Sequence, residues 1–414
     1  MDETTTSETT PDLRSQRGLA IVAGHGKRIR QIVGTTYLVP SQTNESGGYV
    51  VKVEDGTCTC PDYELRGGRC KHLWAVLIIR CEVTMPDGSV ATGERSYTYP
   101  QNWPAYNRAQ CEEKERVQVL LRGLCDGVVQ APQKTGRPRL QLADVIYGAT
   151  LKVYSTVSGR RATTDIREAA KSGMIEHAPS YNSLFRYVER PELLPILTML
   201  VEESATPLRA LEQKFAGDST GFATNTYNRW FDHKYGEEKK EQRWIKAHAM
   251  VGTVTNVITA VRVTESYEAD CPELKGLLAT TVANGFDVKE VSADKAYLSN
   301  ENLVAIEAVG AVPYIPFKSN SNPSGSTDAW NRLWHHYSLN KREFGRHYNQ
   351  RSNVESTFSS VKRKFGHSVR SKCIDAQYNE VLLKCLCSNL TTLVHSIHEF
   401  GIEPKFWMPQ PEAA

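Results

Sequence analysis

The chain lacks several features that would assign it to a common class. It has no run of 18 or more apolar residues, so the sequence predicts no membrane-spanning helix. Its 10 cysteines are irregularly spaced and follow no secretory signal, which excludes a disulfide framework and predicts a cytoplasmic protein in a reducing compartment. The net charge is only +3, so any strongly basic surface must come from local concentration of charge. With 414 residues, 40% of them hydrophobic, the chain can form two or three cores.

Basic charge is concentrated near the C-terminus. Residues 341–372 contain nine Lys and Arg against two acids. Such a segment attracts a polyanion and predicts salt-dependent binding to nucleic acid. The alternative is a solvated helix face, and the run Lys362-Arg363-Lys364 alone does not decide between the two.

The same segment carries a narrow polar stripe. On a helix that turns about 100° per residue, four side chains project within an arc of about 60°: Tyr348, Arg351, Glu355 and Lys362. Burying these polar groups costs more free energy than their mutual contacts recover, unless a ligand binds there. A carboxylate flanked by cations suits a divalent metal held beside a phosphodiester, so the stripe favours nucleic-acid strand chemistry.

The spacing Tyr-x2-Arg-x3-Glu-x6-Lys resembles the signature of prokaryotic insertion-sequence transposases of the DDE class. That family adds two earlier aspartates, at strand ends of an RNase H-like sheet. Asp218 lies in Lys-Phe-Ala-Gly-Asp-Ser-Thr-Gly, which predicts a short strand ending in a glycine-bounded turn. Asp294 lies in Val-Ser-Ala-Asp-Lys-Ala-Tyr, where a second strand meets a helix pattern over 300–309. The resemblance covers roughly residues 140–397.

The resemblance implies a site with two Mg2+ or Mn2+ ions. Asp218 would bridge both ions, and Asp294 and Glu355 would each complete one. It also implies double-stranded DNA as the partner, at transposon ends and target, and a homodimer in the DNA complex. Contacts to the strand are assigned to one phenol and four cations: Tyr348, Arg351, Lys362, Arg363 and Lys364.

Ordinary roles remain open for each acid. Asp218 or Asp294 could be a turn residue or helix N-cap, and Glu355 with Arg351 could be a surface pair. Asp232 and His248 are alternative polar candidates on neighbouring strands, and a structural role is favoured for Asp232.

The rest of the predicted sheet surrounds these residues. Residues 244–264 predict two hairpin strands separated by Thr255-Asn256, and residues 311–317 predict an edge strand because they contain prolines. A helix over 329–337 carries Trp330 and Trp334, for which core packing is favoured over stacking on an unpaired base at the transposon end.

An independent motif lies in the N-terminal part. The motif resembles that of SWIM-type zinc fingers and reads Cys58-x-Cys60-x9-Cys70-x-His72. Three thiolates and one imidazole complete a tetrahedral structural Zn2+ site. A strand over 49–54 and an apolar helix over 73–79 flank it. SWIM modules are implicated in DNA or protein binding, and the sequence does not decide which.

Connecting segments and helices fill the middle of the chain. The sequence predicts an ordered connector over 96–107 and a helix over 112–128. A basic Pro/Gly segment follows over 131–140. Its Gly136-Arg137-Pro138 core, followed by Arg139, is similar to that of AT-hook peptides, which place arginine in the minor groove, although a plain linker is the favoured interpretation. Residues 142–203 predict four short helices, and the resemblance implies that this bundle reads terminal inverted repeats. Residues 158–161 form its most cationic loop.

The sequence thus predicts a multidomain α+β or α/β chain. Its parts are a disordered tail (1–15), a SWIM finger (16–90), a connector (91–140), a helical DNA-binding region (141–206), an RNase H-like mixed sheet flanked by helices (207–400) and a C-terminal tail (401–414). The predicted function is a DNA transposase that cuts at terminal inverted repeats and joins strands. A nuclease of the same fold and a transposase-derived DNA-binding regulator remain as alternatives.

Overall fold

The computed structural model describes residues 13–42, 47–80, 83–84, 90–91, 102–133, 135–136, 138–224, 244–319, 321–322 and 327–408. They form two compact units. The first contains the described residues up to Cys111 together with His395–Glu403, and the second contains Glu112–Val394 and the described residues from Pro404 onward. None of the described helices is both long and apolar enough to cross a bilayer.

The first unit is a small sheet packed against helices. Its elements are α1 (Leu13–His25), β1 (Arg30–Val33), β2 (Thr36–Pro40), β3 (Gly48–Lys52), β4 (Thr57–Cys58), α2 (Pro61–Arg66), α3 (Lys71–Arg80) and the short antiparallel pair β5 (Val83–Thr84) and β6 (Val90–Ala91). Strands β1 to β4 pair antiparallel in sequence order. Val39, Val51 and Leu73 lie in its core, so the predicted strand and helix beside the cysteines are confirmed. Residues 13–15, assigned from the sequence to the disordered tail, begin α1 instead.

Helices form the first part of the second unit. They are α4 (Trp103–Asp126), which begins before the unit boundary, α5 (Leu142–Tyr154), α6 (Gly159–Lys171), α7 (Tyr181–Val188) and α8 (Leu193–Ala205). All four helices predicted over 142–203 are confirmed. The predicted cationic loop over 158–161 is wrong, because Ser158 caps α6 by accepting a hydrogen bond from the Arg161 amide at 3.4 Å.

A five-stranded mixed sheet follows. Its strands are β7 (Lys214–Ala223), β8 (Trp244–Gly252), β9 (Ile258–Glu265), β10 (Glu290–Ala293) and β11 (Val312–Tyr314), in the order β11-β10-β7-β8-β9. β7, β8 and β9 pair antiparallel, whereas β10 is parallel to both β7 and β11. The predicted hairpin is confirmed, and Pro313 lies in the edge strand as expected.

Helices flank the sheet on both faces. They are α9 (Glu273–Ala283), α10 (Asn300–Ala308), α11 (Asp328–Leu339), α12 (Lys341–Tyr348), α13 (Ser352–Phe365) and α14 (Ile374–Phe400). Successive residues of β7 point to opposite faces, so Gly217 faces Leu274 of α9 whereas Asp218 and Thr220 face α13. The predicted mixed sheet with flanking helices is confirmed.

The helical region and the sheet share one core. The buried Asn389 side chain in α14 donates to the backbone oxygens of Val201 in α8 at 3.0 Å and Ile258 in β9 at 2.8 Å. The region predicted over 141–206 therefore lies in the same compact unit as the sheet.

Strand β7 is longer than predicted. The sequence placed Asp218 at the end of a short strand before a glycine-bounded turn, but the strand continues to Ala223. A Cβ at Gly221 would lie 3.3 Å from Cε3 of Trp244, so this glycine leaves room for the indole and does not mark a turn.

Gly252 provides a test of the packing at the β8–β9 hairpin. The fully buried Glu212 carboxylate accepts hydrogen bonds from the amides of Val254 at 3.1 Å and Thr255 at 2.6 Å. A Cβ at Gly252 would lie 2.3 Å from the Glu212 Cδ. We expect Gly252→Ala to lower the free energy of unfolding by about 2–4 kcal/mol, measured by chemical denaturation, because overpacking displaces this carboxylate.

The control for Gly252→Ala is Gly276→Ala in α9. A Cβ at Gly276 would meet nothing within 4 Å, and alanine in a helix is favoured over glycine by roughly 0.5–1 kcal/mol. Equal losses in the two variants would contradict the packing argument.

Candidate functional site

Asp218 lies in β7, and Asp294 directly follows the neighbouring parallel strand β10. The ladder between β7 and β10 pairs Gly217 with Ala293, so the two aspartates are the next pair along. Parallel neighbours are about 4.8 Å apart, and residues in register project to the same face. Asp218 lies within β7, so the interpretation of Asp218 as a turn residue is wrong. Asp294 also caps the 3-10 turn Lys295–Tyr297, and its Oδ1 accepts from the Lys295 amide at 2.6 Å.

Glu355 reaches the same place from α13 through Arg351. The Arg351 guanidinium donates from Nη1 to Asp218 Oδ2 at 3.0 Å and from Nη2 to Glu355 Oε1 at 2.5 Å. Residues 133 positions apart are thereby joined at one site. The prediction of one continuous helix from 348 to 362 is wrong, because α12 ends at Tyr348 and a 3-10 turn over Asn349–Arg351 precedes α13. The Tyr348 ring centroid still lies 6.0 Å from the Arg351 guanidinium carbon.

The electrostatics of this site favour a bound cation. Burial raises the pKa of Asp218, and the negative charges of Glu355 and Asp294 raise it further, whereas Arg351 opposes them. Three neighbouring carboxylates are a donor set of oxygens for hard divalent ions. In the described part of the chain, the oxygens of the three carboxylates do not all lie within 4.8 Å of one another. Arg351 bridges Asp218 and Glu355.

Lys362 and Lys364, both predicted to contact the strand, have different surroundings. Lys362 donates to Thr220 Oγ1 at 2.6 Å, on the strand face that carries Asp218, and burial lowers the pKa of Lys362. Lys364 instead pairs with Glu113 of α4 at 2.5 Å. Arg363 is exposed, as is Arg139 in the Pro/Gly segment. Arg137 lies outside the described residues.

The four predicted zinc ligands converge in the first unit. Cys58 ends β4, Cys60 caps α2, Cys70 precedes α3, and His72 lies in the first turn of α3. Their ligand atoms all lie within 4.8 Å of one another, and all four residues are buried. Cys58 Sγ is 3.9 Å from His72 Nδ1. A tetrahedral zinc site places S and N ligands about 3.6 Å apart, so the set fits Zn2+.

Two family models match the chain. Residues 209–390 match the transposase DDE domain, and residues 48–81 match the SWIM zinc finger. The chain carries a transposase DDE domain. This is a family of catalytic domains that cleave and join DNA strands. A search of curated proteins gave no significant match.

The matched segments contain the geometry described above. Asp218, Asp294 and Glu355 all lie within the DDE domain, and the Cys3His group lies within the SWIM finger. Helices α4 to α8 precede the matched DDE segment.

Of the alternative polar candidates, Asp232 lies outside the described residues and His248 is structural. His248 is fully buried, and its Nε2 lies 2.9 Å from Thr264 Oγ1 and its Nδ1 3.3 Å from Asp270 Oδ1. It pairs with Ser219 across the β7–β8 ladder, on the sheet face opposite Asp218.

His248 makes stability sensitive to acid. Burial lowers its pKa to about 4, whereas an unfolded histidine titrates near about 6.5. As the pH falls from 6.5 towards 4, the unfolded chain therefore binds a proton that the folded chain lacks, and folding is destabilised by up to about 3 kcal/mol. We expect the stability advantage of the wild type over His248→Gln, measured by denaturation, to shrink across this range. An advantage that grows on acidification would show that the folded state favours the imidazolium.

A supporting cluster around His347 was not predicted. His347 Nδ1 lies 2.7 Å from Glu290 Oε2, Glu290 also pairs with Lys214 at 2.8 Å, and the Tyr314 ring stacks on His347 at 4.6 Å. These contacts fix α12 against β10 and β11, immediately before the turn that carries Arg351. No spacing in the sequence indicates them.

Trp330 and Trp334 pack against Phe317, in agreement with the predicted packing role. Both indoles lie edge-on to Phe317, with ring centroids 5.0 and 4.8 Å away. Trp330 also donates from Nε1 to the Asn322 oxygen at 3.0 Å. Core packing therefore accounts for both side chains.

Proposed function

We propose that this protein is a DNA transposase that binds the terminal inverted repeats of its insertion sequence, cuts there and joins the released end to a target. The observation that carries the proposal is the convergence of Asp218, Asp294 and Glu355 within the DDE domain. Hydrolysis and joining of phosphodiesters are in-line displacements that suit such an acidic site.

The three carboxylates would hold Mg2+ or Mn2+, which prefer oxygen ligands. Bound divalent ions stabilise negative charge on the attacking and leaving oxygens. Arg351 has a second task in this proposal. Its guanidinium now pairs with Asp218 and Glu355, and neutralisation of these acids by divalent ions would free it for bidentate contact with a phosphate of the strand. Lys362 binds a neighbouring phosphate, and Tyr348 positions the strand by a hydrogen bond or by stacking.

The protein acts on two element ends, and each part of the chain has its own role there. Pairing two element ends requires at least two catalytic sites, so a homodimer forms in the DNA complex. The SWIM finger (residues 16–90) holds one structural Zn2+, the helical region (141–206) binds the ends, and the segment containing Arg137 and Arg139 connects these parts.

A strand-cleavage assay tests the proposal. The purified chain is incubated with Mg2+ and a labelled duplex carrying the DNA that immediately flanks its coding sequence. Cleavage followed by joining to a second duplex supports a transposase. Cleavage alone indicates a nuclease, and binding without cleavage indicates a regulator derived from a transposase.

A further inference from the structure

Helices α5 and α6 are joined by a turn of the length found in helix-turn-helix motifs. The four residues 155–158 connect them, and Thr156 in this turn has φ +55°. Short turns with one left-handed residue are typical of this motif, whose second helix enters the major groove of DNA. A left-handed threonine costs about 1 kcal/mol or more, so the surrounding structure holds this turn in place.

The second helix, α6, has two opposite faces. Ala162, Ile166 and Ala169 are buried on one face. Exposed residues at positions i, i+4, i+7 and i+11 form the other face, which we call the α6 stripe: Arg160, Thr164, Arg167 and Lys171. The stripe spans an arc of about 60° and a length of about 16 Å, close to the rise of five base pairs.

The charge of α6 complements DNA. The stripe carries three cations, and Arg161 adds a fourth beside it. Asp165 is engaged by Ser155 Oγ at 2.9 Å and by Lys114 at 3.6 Å, so Glu168 is the acid of α6 that faces solvent. A positive exposed face of this kind complements the phosphates that border a groove.

The other helices between 142 and 205 are less suited to this role. Helix α5 is mostly buried, and α8 carries no basic residue. Helix α7 has eight residues, a single arginine, Arg186, and a longer connection to α6. The short turn before α6 and its exposed positive charge therefore favour α6 as the helix that binds DNA.

Further cations lie at the N-terminus of α6. A cavity of about 380 Å3 is lined there by Gly159, by Lys152 of α5, and by Arg370 and Lys372 from the segment after α13. Glu189 and Glu380 also line it. The Glu380 carboxylate accepts from the amides of Arg370 at 3.0 Å and Ser371 at 2.9 Å, so backbone donors already engage it. Arg370 and Lys372 are exposed, so they extend the positive surface of α6 beyond its N-terminus.

We propose that the α6 stripe enters the major groove of duplex DNA, and that the exposed Arg370 and Lys372 contact the phosphate backbone of the same duplex. Arg160 and Arg167 read base edges, whereas Arg370 and Lys372 fix the register of the duplex. That this duplex is a transposon end rests on the proposed function. The DNA-binding surface itself does not depend on strand cleavage.

Binding without Mg2+ tests the inference, because it requires no chemistry. Fluorescence anisotropy with the full chain compares a labelled duplex of about 30 base pairs from the DNA flanking the coding sequence with a scrambled duplex of the same composition. Arg160→Gln/Arg167→Gln should weaken binding to the flanking duplex by about 10- to 100-fold and bring the two affinities together. Arg370→Gln/Lys372→Gln should weaken binding to both duplexes alike and reduce the slope of log affinity against log salt by about 2.

The matched control is Arg262→Gln/Lys275→Gln, which removes two charges from β9 and α9 on the surface opposite the DDE carboxylates. It should leave both affinities and the salt slope unchanged. The inference is overturned if α6 variants with wild-type thermal stability bind like the wild type, or if the control loses as much affinity. Wild-type chain that binds through α6 without cutting DNA would refute the proposed transposase and leave this inference standing.

Discussion

Asp294→Asn should abolish DNA cleavage and leave binding to the element ends unchanged. The substitution removes the negative charge that would help to hold a divalent ion beside Asp218. An asparagine oxygen can still accept the hydrogen bond from the Lys295 amide, so the 3-10 turn over Lys295–Tyr297 is retained. We expect the cleavage rate to fall on the order of 10³-fold or more, a loss of about 4 kcal/mol in transition-state stabilisation.

The matched control for this prediction is Asp287→Asn. Asp287 precedes β10 at the end of the strand opposite Asp294, and it pairs with Lys289 at 3.0 Å on the surface. The control should cut at the wild-type rate. Single-turnover cleavage with Mg2+ and end binding without it are measured for both variants. Cleavage retained by Asp294→Asn would refute the role assigned to this acid, and parallel loss of binding would show a folding defect.

The sequence alone could predict Asp218, Asp294 and Glu355 as site residues because each lies in a short sequence motif. The β-branched residues of 244–264 likewise indicated the hairpin. Strand register is a long-range property, so the placement of Asp294 beside Asp218 emerged only from the β7–β10 ladder. The bridge from Arg351 to Asp218 likewise joins residues far apart in the chain.

The errors have local physical causes. Gly221 was interpreted as a turn residue, whereas the missing Cβ makes room for Trp244 within a continuous strand. The polar spacing from Tyr348 to Lys362 fits one helix, but the chain tightens into a 3-10 turn at 349–351 between α12 and α13. The shared core of α8 and the sheet depends on the buried Asn389, whose partners lie more than 100 residues away in sequence.

Removal of zinc should unfold the SWIM finger. Three of the eleven buried residues in the core of the first unit are Cys58, Cys60 and Cys70, so metal–ligand bonds would contribute much of its stability. Structural zinc in finger domains contributes an apparent free energy of about 10–16 kcal/mol. We expect Cys70→Ser to lose bound Zn2+ and to raise amide hydrogen exchange over residues 50–80. Metal analysis and exchange measured by mass spectrometry check both results.

Cys111→Ser is the control, because Cys111 is exposed in α4 and belongs to no metal group among the described residues. It should retain one Zn2+ per chain and wild-type exchange. Unchanged exchange over residues 50–80 after zinc is lost would contradict a structural role for the metal. End binding by Cys70→Ser then separates two roles for the finger. Affinity retained through α6 would assign the finger to a partner other than the element end, whereas a loss that Zn2+ restores would place it on the DNA.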